Sequence, residues 1–150
     1  TYVFSPKAHE ALVQVLEGLD YSEIGVHDWY VYALARSIGL TWVIGEEPTL
    51  EYRQHGGNVQ GANSGSGARD ARMAKLRNGF YRNQFILTAR TAQKVGTFDE
   101  RRARQLRAIL GELEGQGIAS RLRFALRWRQ IRRDRMEGLK LAAARVLGVW

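Results

Sequence analysis

The chain has 150 residues and no cysteine, which suits one domain with a real core and excludes a disulfide framework, a thiolate metal site and a cysteine nucleophile. Its apolar runs are broken by Arg, Glu or Gly well short of the roughly 18 residues a membrane-spanning helix needs, and none reads as a signal peptide. The net charge of +8 conceals a split: residues 1–66 carry three basic and eight acidic side chains, whereas 67–150 carry 20 basic and seven acidic. That division predicts two roles. The basic part either faces an anionic partner, nucleic acid or a membrane surface, or is only a solubilising helical surface.

Thr1 falls in what reads as mid-strand, so a fragment of a longer protein is expected. Tyr2-Val3-Phe4 is a short β-prone run, ended by Ser5 as a helix cap and Pro6 in the first helical turn. Ala8, Leu12, Val15, Leu16 and Leu19 recur at helical spacing, with His9 exposed and idle on the same helix. After a loop over residues 20–26 comes a second helix, apolar nearly all round from Tyr30 to Ala35 and stopped by Gly39. Its start, His27-Asp28-Trp29, sets a carboxylate at the first turn of a helix expected to be buried. On the residue alone, an N-cap is the commonest use of such an aspartate.

Leu40 to Ile44 and Thr49 to Arg53 read as two strands separated by the turn Gly45-Glu46-Glu47-Pro48. The second runs into Gln54-His55-Gly56-Gly57-Asn58, where paired glycines let backbone approach a ligand and form an anion-binding nest. Arg53 adds a fixed cation, and His55 a metal or phosphate ligand. The run 61–68 has linker composition, and the texture beyond it is helical. The expected organisation is therefore residues 1–62, a linker at 63–68, and a basic α-helical region over 69–150. Helices are expected over roughly 69–94, 98–115 and 119–148, with Phe98-Asp99-Glu100 as a start and breaks at Gly96, Gly115-Gln116-Gly117 and Gly138.

In the last helix Leu122, Ala125, Leu126 and Ile131 form a narrow apolar stripe. Arg121, Arg123, Arg127, Arg129, Arg132, Arg133 and Arg135 crowd the remaining surface around Trp128. Basic, amphipathic and tryptophan-bearing is the pattern of a helix on an anionic membrane surface. It also fits phosphate contacts to nucleic acid, but no helix-turn-helix, zinc finger or base-stacking motif accompanies it, so nucleic acid ranks lower.

His27-Asp28-Trp29, a helix, a strand, Glu47-Pro48 and then Tyr52-Arg53-Gln54-His55-Gly56-Gly57-Asn58-Val59-Gln60-Gly61-Ala62 resemble, in this order, the family 2 glycosyltransferases, and within them the bacterial rhamnosyltransferase-like branch. The likeness covers about residues 1–62. It implies an α/β fold, the C-terminal part of a GT-A Rossmann-like nucleotide-sugar transferase domain, followed by the basic helical tail. It implies a nucleotide-sugar donor, a glycan or lipid-linked envelope acceptor, and a divalent metal, Mg2+ or Mn2+, bound mostly by an N-terminal half that this sequence lacks. Asp28 falls on the position of the catalytic base, and with the resemblance added that role overtakes the N-cap. His27, Trp29, Arg53, Gln54 and Asn58 fall at substrate-binding positions, and His55 at a candidate metal ligand. The expected location is cytoplasmic, peripheral at the inner face of the membrane. The sequence contains no Asp-x-Asp and no earlier nucleotide-binding half, so an acceptor-side part, inactive alone, is expected.

Overall fold

A computed structural model describes residues 2–45, 66–132 and 134–150. The described chain forms eight helices: α1 (Pro6–Glu17), α2 (His27–Ser37), α3 (Ser66–Arg77), α4 (Phe80–Val95), α5 (Glu100–Glu114), α6 (Ile118–Leu126), α7 (Trp128–Ile131) and α8 (Arg135–Val146). Among the described residues there is no strand, which overturns the expected α/β, Rossmann-like architecture. The second expected strand, 49–53, lies outside the described residues.

The first β-prone runs fail for a simple reason: a strand's backbone groups need a partner strand to pair with. Tyr2 to Phe4 and Leu40 to Ile44 have none among the described residues and pack through side chains. Trp42 sits edge-on to Tyr2 at 4.8 Å, Tyr32 at 5.1 Å and Phe4 at 6.0 Å. Val43, with nothing to cover it, is 84% exposed.

Local chemistry sets most helix ends. Ser5 Oγ accepts from Ala8 N with Pro6 in the first turn of α1, and Asp99 accepts from Arg102 N at the start of α5. Gly39, at φ 84°, closes α2, a backbone conformation that glycine adopts without strain. The region 69–94 is two helices rather than one. Gly79 (φ 77°) separates them, and the Asn78 side chain accepts from Phe80 N.

The expected long helix 119–148 is three. Asp134 accepts from Glu137 N and starts α8, an Asp-x-x-Glu signal visible in the sequence. Gly138 is no break. It lies buried inside α8, where a Cβ would meet the Trp128 carbonyl oxygen at 2.3 Å, so its hydrogen lets α7 lie against α8. Within the described residues, no helix is long and apolar enough to cross a membrane.

Two apolar clusters hold the helices. Leu12, Tyr30, Leu34 and Ala35 form the first, between α1 and α2, closed by Phe4, Leu40 and Trp42. Leu113, Phe124 and Trp150 form the second, with Phe85 of α4 and Leu141 of α8 against them. Helix α4 serves both, packing along α2 and giving Val95 to the first cluster and Phe85 to the second. Beneath α8 the Arg145 guanidinium is fully buried, donating to the carbonyls of Glu112, Leu113 and Gly115 and to that of Trp150. The acceptors on α5 belong to its last turn, the negative end of the helix dipole.

Two helical glycines, Gly111 of α5 and Gly138 of α8, should respond oppositely to alanine. A Cβ at Gly111 meets nothing within 4 Å, so Gly111→Ala should stabilise the protein by about 0.5–1 kcal/mol. Gly138→Ala should destabilise it despite the same gain in helix propensity, because the new methyl meets backbone. Urea unfolding of the intact protein measures both, and a gain at both sites would exclude the close α7–α8 contact.

Candidate functional site

The start of α2 carries the candidate base. Val26 occupies the cap position and makes no side-chain cap hydrogen bond, so Asp28 lies inside the first turn rather than at the N-cap. Its carboxylate has no capping duty and stands near the positive end of the helix dipole, which favours an anion. The helix buries the face bearing Tyr30, Leu34 and Ala35 but leaves its first turn open, contrary to the buried start expected. The side chains of His27 and Asp28 are 86% and 63% exposed, with His27 Nε2 2.9 Å from Asp28 Oδ1. Tyr2 closes one side, its hydroxyl donating to the Asp28 main-chain carbonyl at 2.9 Å. Burial raises the Tyr2 phenol above its ordinary pKa, and the Asp28 charge adds to the effect.

Trp29 is a packing residue here. Its ring stacks on Phe85 at 4.9 Å and 6° between planes, beside Tyr81 at 5.7 Å. The Arg132 guanidinium lies over the same ring at 5.8 Å, which brings the basic region next to the candidate base.

What holds this turn in place is Gln84 of α4, a residue that sequence reasoning missed. It is buried, and its carboxamide oxygen accepts from Gly25 N (2.8 Å) and Val26 N (3.3 Å) while its nitrogen donates to the Glu23 carbonyl (3.0 Å). One side chain thus satisfies three backbone groups of the loop that launches α2. A Cβ at Gly25 would come within 2.8 Å of the Phe80 ring, so glycine allows the approach. A glutamine inside a helical pattern gives no local sign of such a partner. The only legible hint was its place among Tyr81, Phe85 and Ile86 on the packed side of α4.

Arg53, Gln54, His55, Asn58 and Arg133 lie outside the described residues. Among the described residues, no group of three or more His, Cys, Asp or Glu side chains could hold a metal ion. His55, the candidate ligand for the Mg2+ or Mn2+ that the resemblance implies, is not among them.

The basic residues of the last region divide into two sets. Arg127 is committed to Glu112, through Nε at 2.7 Å and a second nitrogen at 2.9 Å, and this pairing raises its pKa. Arg121 is half-buried, its Nε covered and without a partner. Arg123, Arg129 and Arg132 are exposed, with Arg129 lying over Trp128 at 5.0 Å. The expected apolar stripe is split, with Ile131 packed against the second core cluster and the leucines of α6 turned outward. Phe124 enters the core, while Ile118, Leu122 and Leu126 are 72%, 48% and 82% exposed on one side of α6. An apolar cavity of about 310 Å³ lies between α4, α5 and α6, bordered by Phe85, Leu106, Phe124 and the paired Arg127; neither His27 nor Asp28 lines it.

The chain is similar to the dTDP-rhamnosyl transferase RfbG of Shigella flexneri, with 29% identity over 128 residues. The match takes in 85% of this chain and 40% of that protein, so the chain spans about two fifths of the relative's length. No family model and no solved structure matches.

Gln84→Ala should lower stability by about 2–3 kcal/mol, because it leaves buried backbone groups without partners. The exposed Gln93→Ala on the same helix should stay within roughly 0.5 kcal/mol of the parent. Denaturant unfolding of both variants tests the assignment, and equal midpoints would refute it.

Proposed function

We propose that this chain is part of a glycosyltransferase that uses a nucleotide-sugar donor, with Asp28 as the base that deprotonates the acceptor. The observation carrying this reading is the exposed carboxylate of Asp28, paired among the described residues only with His27. It caps no helix, it is open to a ligand, and Gln84 and Tyr2 fix the backbone that bears it. The likeness to a dTDP-rhamnosyl transferase supports the reaction class. An acceptor hydroxyl would form a bond to the anomeric carbon from the face opposite the nucleotide, as its proton passes to Asp28. The bond from that carbon to the diphosphate would break in the same displacement, inverting the centre, as in family 2 enzymes. His27 would hold the carboxylate's orientation. dTDP-rhamnose is the first donor to test, with a glycan or lipid-linked acceptor.

Asp28→Asn in the intact protein should reduce transfer by about 100-fold or more, the contribution typical of a general base. Stability should change by less than about 1 kcal/mol, because only a first-turn dipole interaction is lost. Activity assays paired with unfolding curves measure both, and a variant with parental activity would end the assignment.

A second reading is carried by the exposed line Ile118–Leu122–Leu126 beside Arg123 and Arg129. Apolar side chains with flanking cations suit the interface of an anionic bilayer, which would place the protein at the inner face of the membrane. The protein should sediment with anionic vesicles and not with neutral ones, and salt should weaken the binding. Leu126→Glu should abolish it, whereas equal binding to both vesicle types would exclude the electrostatic mode.

A further inference from the structure

Around the end of α8, hydrogen-bond donors outnumber acceptors. Arg145 is fully buried, and its terminal nitrogens are taken by four main-chain carbonyls, while its Nε has no partner. Trp150 is 4% exposed, with its indole nitrogen also unpartnered, and its ring lies 5.9 Å from the Arg145 guanidinium. Arg121 brings a third orphan, a covered Nε, and its terminal nitrogen would lie 2.6 Å from a Cβ placed on Gly148. Arg82 reaches the same turn from α4, donating to the side-chain oxygen of Gln116, next to the Gly115 carbonyl that Arg145 holds.

The charges are as unbalanced as the hydrogen bonds. Within the described residues no carboxylate pairs with Arg82, Arg121 or Arg145, because the two glutamates nearest in α5 are engaged elsewhere: Glu112 with Arg127 and Glu114 with Arg90. Burial lowers the Arg145 pKa, and the positive charges of Arg82 and then Arg121 lower it further, a sign that the three guanidinium groups sense one another. The α5 carbonyls offset the charge of Arg145. Nothing comparable offsets Arg82 and Arg121, both half-buried beside the exposed Gln116.

We propose that Arg82, Arg121 and the Gln116 turn form an oxyanion site for a phosphate group, with Arg145 and Trp150 as its floor. Guanidinium donors in a fork match phosphate oxygens, and a phosphate at the terminal nitrogens of Arg82 and Arg121 would supply the missing charge. The site stands on these residues alone and does not depend on the role of Asp28. A free phosphate ion and a lipid headgroup phosphate share this chemistry, and the test separates them.

The test titrates the intact protein with inorganic phosphate at constant ionic strength, following thermal unfolding and phosphorus NMR linewidths. A parallel series compares vesicles containing phosphatidic acid with phosphatidylcholine vesicles. The expected result is saturable binding that falls about tenfold or more in Arg121→Gln, the loss of one charge-assisted pair, and is unchanged in the exposed control Arg123→Gln. Arg82→Gln serves the same purpose if Arg121→Gln does not fold. Binding to inorganic phosphate assigns a soluble ligand. Binding to phosphatidic acid alone, with the same dependence on Arg121, assigns a headgroup. No saturable binding to either, or equal loss in Arg123→Gln, overturns the proposal.

Discussion

The carboxamide of Gln84 is the constraint on which the candidate site depends. Two loop N–H groups and one loop carbonyl converge on a buried side chain 58 to 61 residues further along the chain. A buried backbone group without a partner is costly, so this single side chain decides where the loop ends and α2 begins. The start of α2 in turn sets the position of His27 and Asp28. Through α4 the acidic first part of the chain and the basic second part become one packed unit, with Trp29 stacked on Phe85 and Arg132 laid over Trp29.

A comparable economy governs the basic region. Its arginines look alike in sequence, yet they perform different physical tasks. Arg145 caps the end of α5 from beneath α8, where the carbonyl dipoles stand in for a carboxylate. Arg127 closes a two-pronged pair with a buried glutamate, a geometry guanidinium favours over ammonium. Arg123 and Arg129 remain on the surface. A net positive charge spread over such a region is therefore a poor measure of how much charge a partner meets. The surface that is left combines exposed cations with an uncovered apolar line on α6.

The turn of α6 shows why packing overrides pattern. Leu122 and Leu126 recur at helical spacing as an apolar stripe, but Phe124 is the residue that reaches Trp150, at 5.2 Å between rings. An aromatic side chain buries more area than a leucine, and a short helix held at both ends turns its largest apolar group inward. The leucines are carried outward by the same rotation. Gly138 follows the same logic: a helix breaker by propensity, it is retained inside α8 because only a hydrogen fits against the Trp128 carbonyl.

What the sequence determined by itself was local. Ser5-Pro6, Asp99 and Gly39 start or stop helices through hydrogen bonds and backbone preferences that span a few residues, so composition and spacing suffice to read them. The uneven division of charge was equally legible, since it needs only counting. The tertiary structure alone decided the rest. Leu40 to Ile44 had strand composition but pairs with no strand among the described residues, and its Trp42 went to an aromatic cluster. Asp28 was free of capping because Val26 took that position, in a loop tied by Gln84. Which arginine of the basic region is buried was decided by distant carbonyls, and interactions across tens of residues leave no periodic trace in the chain.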